Sequence, residues 1–357
     1  MYSDFIEEIS KFNLEIKQNE PLAPYTTWHI GGPAEIFAIT HTASNLSKLV
    51  KTAIKYRVPY TILGGGSNVL ISDNGIKGLV IVNKSREIEI VDNQGTSKDI
   101  TANEAESFNP WIQPRHGEED DSFYSFKDLD YEESGKRIKV KVSSGVDLAW
   151  ATAWTLKNGI TGLQFFAGIP GTIGGALFNN IHGGTKHFSD YFDSAKVLVD
   201  GVEKEYKFED FNFGYDQSVL REHKNIVVVE VVLNLFYGDV EKAKFVANEW
   251  MKRKRRQPRR TAGCTFKNIP LDKQKELDFP TPSVGYIVDK LFGWTGKSSG
   301  EAEISTNHAN FIENKGNASS KDVINLINQV KTRAKQDYNL ELETEINLVG
   351  FEKNIID

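Results

Sequence analysis

The sequence predicts an α+β protein of two or three domains, and three stretches lead to that class. The first eighty residues alternate short apolar runs with one amphipathic helical pattern. Ile226 to Leu235 (IVVVEVVLNL) is a long β-branched run, and a helical pattern follows it from Asp239 to about Met251. Later, Val323, Leu326, Ile327 and Val330 line one helix face. Leu342, Thr344, Ile346 and Leu348 then alternate with Glu341, Glu343, Glu345 and Asn347, as in a half-buried strand. A chain of 357 residues with a 39% hydrophobic share can fill more than one core.

Taken in order, Ile36 to Ile39 reads as a strand. Leu46, Leu49, Val50, Ala53 and Ile54 follow at helical spacing after a Ser44 cap. Tyr60 to Leu63 is a second strand that runs into Gly64-Gly65-Gly66-Ser67-Asn68, and Val69 to Ile71 and Leu79 to Val82 come next. Residues 93–137 break the pattern, being rich in Asp, Glu, Ser, Asn and Gly. They read as a surface insertion between two strands of a hairpin, partly disordered, without a core of its own. Lys139 to Val142 resumes as an alternating strand, and Asp147 to Asn158 as a helix. Glycines at 168, 171, 174 and 175 would be costly inside any regular element, so the backbone there is expected to approach something closely. Ser319 and Asp322 are a plausible start for the later helix. No internal repeat is visible.

One cysteine excludes an intramolecular disulfide and any multi-thiolate metal site, and fits a reducing compartment. The start, MYSDFIEEIS, is acidic and lacks a signal-peptide core. No apolar run approaches the roughly 18 residues of a membrane span. A soluble, cytoplasmic protein with no membrane partner is expected. A net charge of −6 argues against a nucleic-acid partner. Residues 252–260, KRKRRQPRR, run against that balance. They suit a solvated helix end, a nuclear signal or RNA patch, or a site for a phosphorylated ligand.

Two glycine-rich loops follow apolar segments, and backbone N–H groups in such loops can ring a pyrophosphate. Neither nucleotide fingerprint is met. After Gly64 and Gly66 the third glycine of G-x-G-x-x-G is replaced by Val69, and Gly296-Lys297-Ser298 has Leu291 where a P-loop needs glycine. His182 and His187 lie five apart in a glycine loop and are read as without acidic partners; a second pair of ligands is missing, so no metal site is expected.

The stretches YTTWHIGGPAEIF (25–37), ILGGGSNVLISDNGIKGLVI (62–81), GLQFFAGIPGTIGGALFNN (162–180) and FGY (213–215) resemble the UDP-N-acetylenolpyruvoylglucosamine reductase family. TAGCTFKN (261–268), SVGYIVDKLFGWTGKSSGEAEISTNHANFIENKGNAS (283–319) and LETEINLVG (342–350) continue the resemblance in the family's order. It spans nearly the whole chain except 93–137.

The resemblance implies a two-part FAD-binding module of the vanillyl-alcohol-oxidase type plus a C-terminal α+β substrate domain. The parts would be 1–83, to which the strand in 342–357 returns, 84–237 carrying the insertion, and a substrate domain at 238–341. Gly64, Gly65, Gly66, Ser67 and Asn68 match the family's loop around the FAD pyrophosphate. Gly168, Ile169, Pro170, Gly171, Thr172 and Gly174 match its second FAD segment. FAD is then a non-covalent cofactor, NADPH the co-substrate and a UDP-sugar the substrate, in a monomer serving peptidoglycan precursor synthesis.

Hydride addition to an enol ether conjugated to a carboxylate builds negative charge on that carboxylate and needs a proton donor at the neighbouring carbon. The family carries serine as donor where this chain has Cys264. A free thiol, with pKa about 8.5, is the stronger acid; a small thiol packing as a hydrophobe is the bland alternative. Glu345 matches the family's glutamate, which helps polarise the enol carboxylate. Tyr215, Lys267 and Asn268 match its substrate contacts. His308 stands where some members carry an amide, or is a histidine satisfied within a turn. One position departs: Asp216 occupies the place of the family's arginine. Arg221, Arg259 or Arg260 are candidates to replace that cation, and Arg259 and Arg260 also to meet the UDP diphosphate. Another FAD-linked oxidoreductase of the superfamily, or a catalytically weakened flavin- or nucleotide-binding protein, are the competing functions.

Overall fold

A computed structural model describes residues 2–91, 97–98, 129–352 and 355–356. They form two compact units, each assembled from separated pieces of chain: Met1–Glu15, Ile39–Val58 and Ile81–Arg256, and then Ile16–Ala38, Pro59–Val80 and Gln257–Asp357.

The first unit is built on a six-stranded sheet. Its order is Val202–Lys207, Phe192–Val199, Ile226–Tyr237, Lys136–Ser143, Ile88–Val91 and Ser97–Lys98, every neighbour antiparallel. The β-branched run forms the strand Ile226–Tyr237, in which Val227, Val229, Val231, Leu233 and Leu235 face inward at period two. Two helices share this core. Leu148–Lys157 is capped by Asp147, whose carboxylate accepts the Trp150 N–H at 2.9 Å. Val240–Arg255 buries Ala243, Val246, Ala247 and Trp250, and ends in Lys252 to Arg255. Those cations face the negative end of the helix dipole.

Three expectations change in this unit. Thr42, not Ser44, caps the helix Ala43–Lys55, its hydroxyl accepting from Asn45 N–H at 3.1 Å. Gly174 and Gly175 lie inside a short helix, Ile173–Asn179, where the close packing that glycine permits offsets its poor propensity. The insertion does lie between antiparallel neighbours, Ile88 pairing with Val142. Residues 92–96 and 99–128, on which the expectation of disorder mainly falls, lie outside the described residues. Residues 129–137 are part of the fold. Leu129 is buried in the core, and Tyr131 packs its ring 5.2 Å from that of Phe165. Glu133 accepts the Thr161 hydroxyl at 2.7 Å and the Gln164 amide. A polar composition hid this, because one leucine and one tyrosine make the apolar contact.

In the second unit the strands Glu15–Pro21, Pro33–Thr40, Ile76–Asn83 and Tyr60–Leu63 pair in that order. A three-stranded sheet, Ser298–Ser299, Ala302–Ile304 and Ile312–Asn314, lies with the helix Ser320–Tyr338, which buries Val323, Leu326, Ile327, Val330 and Ala334. Trp28 is wholly buried, and its Nε1 donates to the Ile312 carbonyl at 2.8 Å. Ser319 and Asp322 form the capping box read from the sequence. Asp73 adds a second cap, accepting from Ser320 N–H at 2.9 Å and Lys321 N–H at 3.3 Å. The strand expected over 342–348 shrinks to Asn347–Val349, paired parallel with Val69–Ile71. Before it stands a single antiparallel bridge between Phe266 and Thr344.

Candidate active site

The first glycine loop leaves the strand Tyr60–Leu63 and enters Val69–Ile71. It turns at Gly66, whose φ of 62° is left-handed and where a Cβ would stand 2.0 Å from the Tyr25 carbonyl oxygen. Thr27 fixes the turn, its N–H donating to the Gly66 carbonyl at 3.0 Å and its hydroxyl to the Thr261 carbonyl at 2.7 Å. Among the described residues, no hydrogen bond uses the N–H of Gly64, Gly65 or Gly66. Successive backbone donors without an internal acceptor, with Gly65 exposed, fit the diphosphate of a dinucleotide such as FAD.

The cysteine motif lies against the segment that holds Glu345. Glu345 N–H donates to the Thr265 carbonyl at 2.9 Å, and Lys267 N–H to the Glu343 carbonyl at 2.9 Å. On the other side, Asn68 Nδ2 donates to the Glu345 carbonyl at 3.4 Å. The Asn68 carbonyl accepts both the N–H and the Nδ2 of Asn347 at 3.1 Å. The backbone of Glu345 therefore joins the glycine loop to the cysteine motif. Its side chain is half-buried, whereas those of Glu341 and Glu343 are 83% and 76% exposed. Cys264 is half-buried as well.

Asn310 braces this arrangement, and sequence reasoning gave it no role. It is buried; its Oδ1 accepts the Phe266 N–H at 3.0 Å and its Nδ2 donates to the Phe266 carbonyl at 2.8 Å. Its carbonyl accepts the Thr265 N–H at 2.7 Å. The two residues after Cys264 are thus pinned from one side by Asn310 and from the other by the Glu345 segment. The signal available was an asparagine inside the motif at 283–319. His308 Nδ1 accepts the Asn310 N–H at 3.3 Å, a local turn bond. Lys267 Nζ lies 3.1 Å from the Glu343 carboxylate. Asn268, Arg259 and Arg260 are exposed, and the Arg260 carbonyl accepts Asn314 N–H at 3.0 Å.

In the first unit, the segment Gly168–Gly174 is stitched to the turn after the strand Lys136–Ser143. Leu148 N–H donates to Gly171 at 3.0 Å, Ile173 N–H to Val146 at 2.9 Å and Gly174 N–H to Ser144 at 2.8 Å. A Cβ on Gly174 would meet the Ser144 carbonyl at 2.9 Å. Thr172 Oγ1 accepts the Gly175 N–H at 3.2 Å and starts the short helix, while Ile169 N–H closes a turn onto Phe166 at 3.1 Å before Pro170. Asn83 and Ser85, also unremarked in the sequence, support this turn through Ser144 Oγ at 2.9 Å and Gly145 N–H at 3.0 Å.

The Phe-Gly-Tyr segment corrects one expectation. His182 does have an acidic partner: its Nδ1 lies 3.2 Å from Asp216 Oδ1. A tight turn, Gly214 N–H to Gln217 at 3.0 Å and Gln217 N–H to Gly214 at 3.3 Å, places Asp216 at a left-handed φ of 49° and turns its carboxylate inward. Tyr215 stays half exposed, its ring 5.1 Å from that of His182. Arg221 Nη1 donates to Asn179 Oδ1 at 2.8 Å. Among the described residues, no group of three or more His, Cys, Asp or Glu side chains is placed to hold a metal. No helix among them is long and apolar enough to cross a membrane.

A glycine loop with free backbone donors and a cysteine motif bonded to an acidic segment suit a flavin-dependent oxidoreductase. Residues 125–201 match the family model described as FAD binding domain, and residues 255–349 match that of the UDP-N-acetylenolpyruvoylglucosamine reductase C-terminal domain. The UDP-N-acetylenolpyruvoylglucosamine reductase of Clostridium tetani is 32% identical over 99% of this chain and 98% of its own length. That of Bacillus subtilis is 31% identical over 94% of each chain. The crystal structure of the UDP-N-acetylenolpyruvylglucosamine reductase from Thermus caldophilus superposes with a TM-score of 0.64 at 26% identity, covering 94% of this chain and 99% of that one. The chain belongs to the UDP-N-acetylenolpyruvoylglucosamine reductase family, and its fold is α+β with an FAD-binding module.

Proposed function

We propose that this chain reduces the enolpyruvyl ether of UDP-N-acetylglucosamine to UDP-N-acetylmuramate with NADPH, as a non-covalent FAD enzyme. Family membership over nearly the whole chain supports the reading. The observation that carries it is the backbone of Glu345, bonded to both Thr265 and Asn68. FAD, when bound, supplies hydride transfer in two separate stages, from NADPH and then to the substrate. The net reaction adds one hydride to C3 and one proton to C2 of the enolpyruvyl group, turning a CH2=C unit into CH3–CH and NADPH into NADP+.

The N–H groups of Gly64, Gly65 and Gly66 hold the cofactor diphosphate, with Ser67 and Asn68 closing the loop. The segment Gly168–Gly174 provides the second cofactor contact. Cys264 gives its thiol proton to C2 as the electron pair there becomes the C–H bond, and regains a proton from solvent. Glu345, sharing a proton with the substrate carboxylate, limits the charge that builds on it. Tyr215, Lys267, Asn268 and His308 contact the sugar nucleotide, and Arg259 and Arg260 its diphosphate. The cofactor-binding parts are 1–83, with the strand in 342–357 returning to it, and 84–237, and the substrate domain is 238–341. The enzyme acts as a cytoplasmic monomer in peptidoglycan precursor synthesis, and through it in cell shape and division.

The test is a visible spectrum of the purified protein and NADPH oxidation with and without the enolpyruvyl substrate. A yellow protein whose NADPH turnover depends on that substrate is expected. Colourless protein, or consumption indifferent to substrate, overturns the reading.

A further inference from the structure

Cys264 is held unevenly by the residues on its two sides. Before it stands Gly263, at a left-handed φ of 83°. Among the described residues, no atom beyond its chain neighbours lies within 4 Å of where a Cβ on Gly263 would be. After Cys264 the chain is tied along both edges. Thr265 N–H donates to the Asn310 carbonyl at 2.7 Å, and the Thr265 carbonyl accepts Glu345 N–H at 2.9 Å. Phe266 N–H donates to Asn310 Oδ1 at 3.0 Å, and the Phe266 carbonyl accepts from Asn310 Nδ2 at 2.8 Å. Lys267 N–H closes the run on the Glu343 carbonyl at 2.9 Å. All of these residues belong to the second unit.

The Asn310 amide does here what a neighbouring strand would do, offering one acceptor and one donor side by side to a single residue. Asn310, Thr265 and Phe266 are 4%, 1% and 3% exposed, so water does not compete for these bonds. The amide is itself held in place. His308 Nδ1 accepts the Asn310 N–H at 3.3 Å. Gly285 packs against both, a Cβ there standing 3.3 Å from His308 Cε1 and 3.5 Å from Asn310 Cβ. With nothing packed on Gly263, the clasp on residues 265 and 266 is what fixes the backbone from which the thiol projects. Geometry of that kind matters for an acid, because a misplacement of about 1 Å can cost about 10²-fold in rate.

We propose that Asn310 is the positioning residue of the acid: its clasp on Phe266 fixes the backbone at Cys264, and with it the direction of the thiol toward the enolpyruvyl C2. The inference rests on the activity, and on the role of Cys264, proposed above. Asn310 is buried and exchanges no proton. In the step it serves, the S–H bond of Cys264 breaks and the enolate electron pair at C2 becomes the new C–H bond. The sulfur, left as a thiolate, regains its proton from solvent. Hydride transfer from NADPH comes earlier and has no use for the clasp.

The experiment is a double-mutant cycle over wild type, Cys264→Ala, Asn310→Asp and the double variant. Stopped-flow flavin absorbance follows reoxidation of the NADPH-reduced protein by saturating enolpyruvyl sugar nucleotide. Asn310→Asp keeps the size of the side chain; Asn310→Ala takes its place in the cycle if the acidic variant does not fold. At neutral pH the introduced carboxylate can accept from Phe266 N–H but cannot donate to the Phe266 carbonyl. Reoxidation should then slow by about 10–10²-fold while bleaching by NADPH is unchanged. Lowering the pH protonates the introduced carboxyl and restores a donor, so the rate should climb back toward that of wild type at the same pH. In the Cys264→Ala background the Asn310 change should cost nothing further, since no thiol is left to aim. A merely structural role would cost as much in both backgrounds. Wild-type reoxidation in the Asn310 variant, or equal slowing with and without the thiol, overturns this inference alone. Wild type that the substrate does not reoxidise overturns the activity, and Cys264→Ala reoxidised at the wild-type rate overturns the role of the thiol; either result takes the inference with it.

Discussion

The backbone N–H of Glu345 donates to the carbonyl of Thr265 at 2.9 Å, so an acid and a cysteine motif about eighty residues apart in sequence are neighbours in one unit. Thr265 follows Cys264 directly, and that adjacency gives the first prediction its geometry.

Cys264→Ala should separate the two stages of the reaction. Transfer from NADPH needs no proton at the substrate carbon, so flavin bleaching should proceed. Reoxidation by the enolpyruvyl substrate should slow by about 10²–10⁴-fold, the usual weight of a positioned general acid. Cys264→Ser should recover much of it. Stopped-flow traces decide the matter, and wild-type reoxidation in Cys264→Ala would show that the thiol only packs.

Gly65 and Gly66 should fail in different ways. Gly65 is exposed, so Gly65→Val should leave the fold intact and block backbone approach to the cofactor. Gly66→Ala sets a Cβ 2.0 Å from the Tyr25 carbonyl oxygen at a left-handed φ, so it should lower thermal stability even without cofactor. The pair is read from flavin content and melting of the apo-protein. A folded Gly65→Val that stays fully yellow removes this loop from the cofactor site.

Asn310→Ala strips the two side-chain hydrogen bonds from the Phe266 backbone, leaving its N–H and carbonyl buried, while the Thr265 N–H keeps its bond to the carbonyl of residue 310. A cost of about 1–3 kcal/mol per unsatisfied group is the expectation in urea unfolding. Stability unchanged from wild type would mean that water replaces the amide.

The end of the insertion should prove structural. Leu129→Ala empties a core position of the first unit and should cost about 2–5 kcal/mol in denaturant unfolding. Replacing all of 93–137 by a short turn also removes Glu133 from Thr161 and Gln164, so it should lower stability at least as far. A shortened chain as stable as wild type would restore the view that the whole segment is an ornament.

The sequence was informative where chemistry is local. The capping box at Ser319 and Asp322, the strand Ile226–Tyr237 and the cap at Asp147 depend on residues within a few positions of one another. Periodicity could not announce Asp73, which caps the same helix start from 247 residues away in sequence, or Asn310, which reaches 44 residues back to Phe266. The cysteine and glutamate motifs were readable as signatures, but the hydrogen bond that joins them was not. His182 looked partnerless because Asp216 lies 34 positions on, behind a turn whose left-handed residue is not glycine. The insertion misled through composition, since burial of Leu129 is decided by the cavity it fills.

The second unit draws on residues 16–38, 59–80 and 257–357, and the strand that follows the glycine loop takes its parallel neighbour from Asn347–Val349. A nascent chain leaving the ribosome therefore exposes its first glycine loop long before that neighbour exists. Such non-local pairing carries a large loop-closure cost and slow assembly. A prematurely terminated product that stops short of Glu345 would carry both glycine loops and the cysteine yet lack the segment that ties the first loop to Cys264.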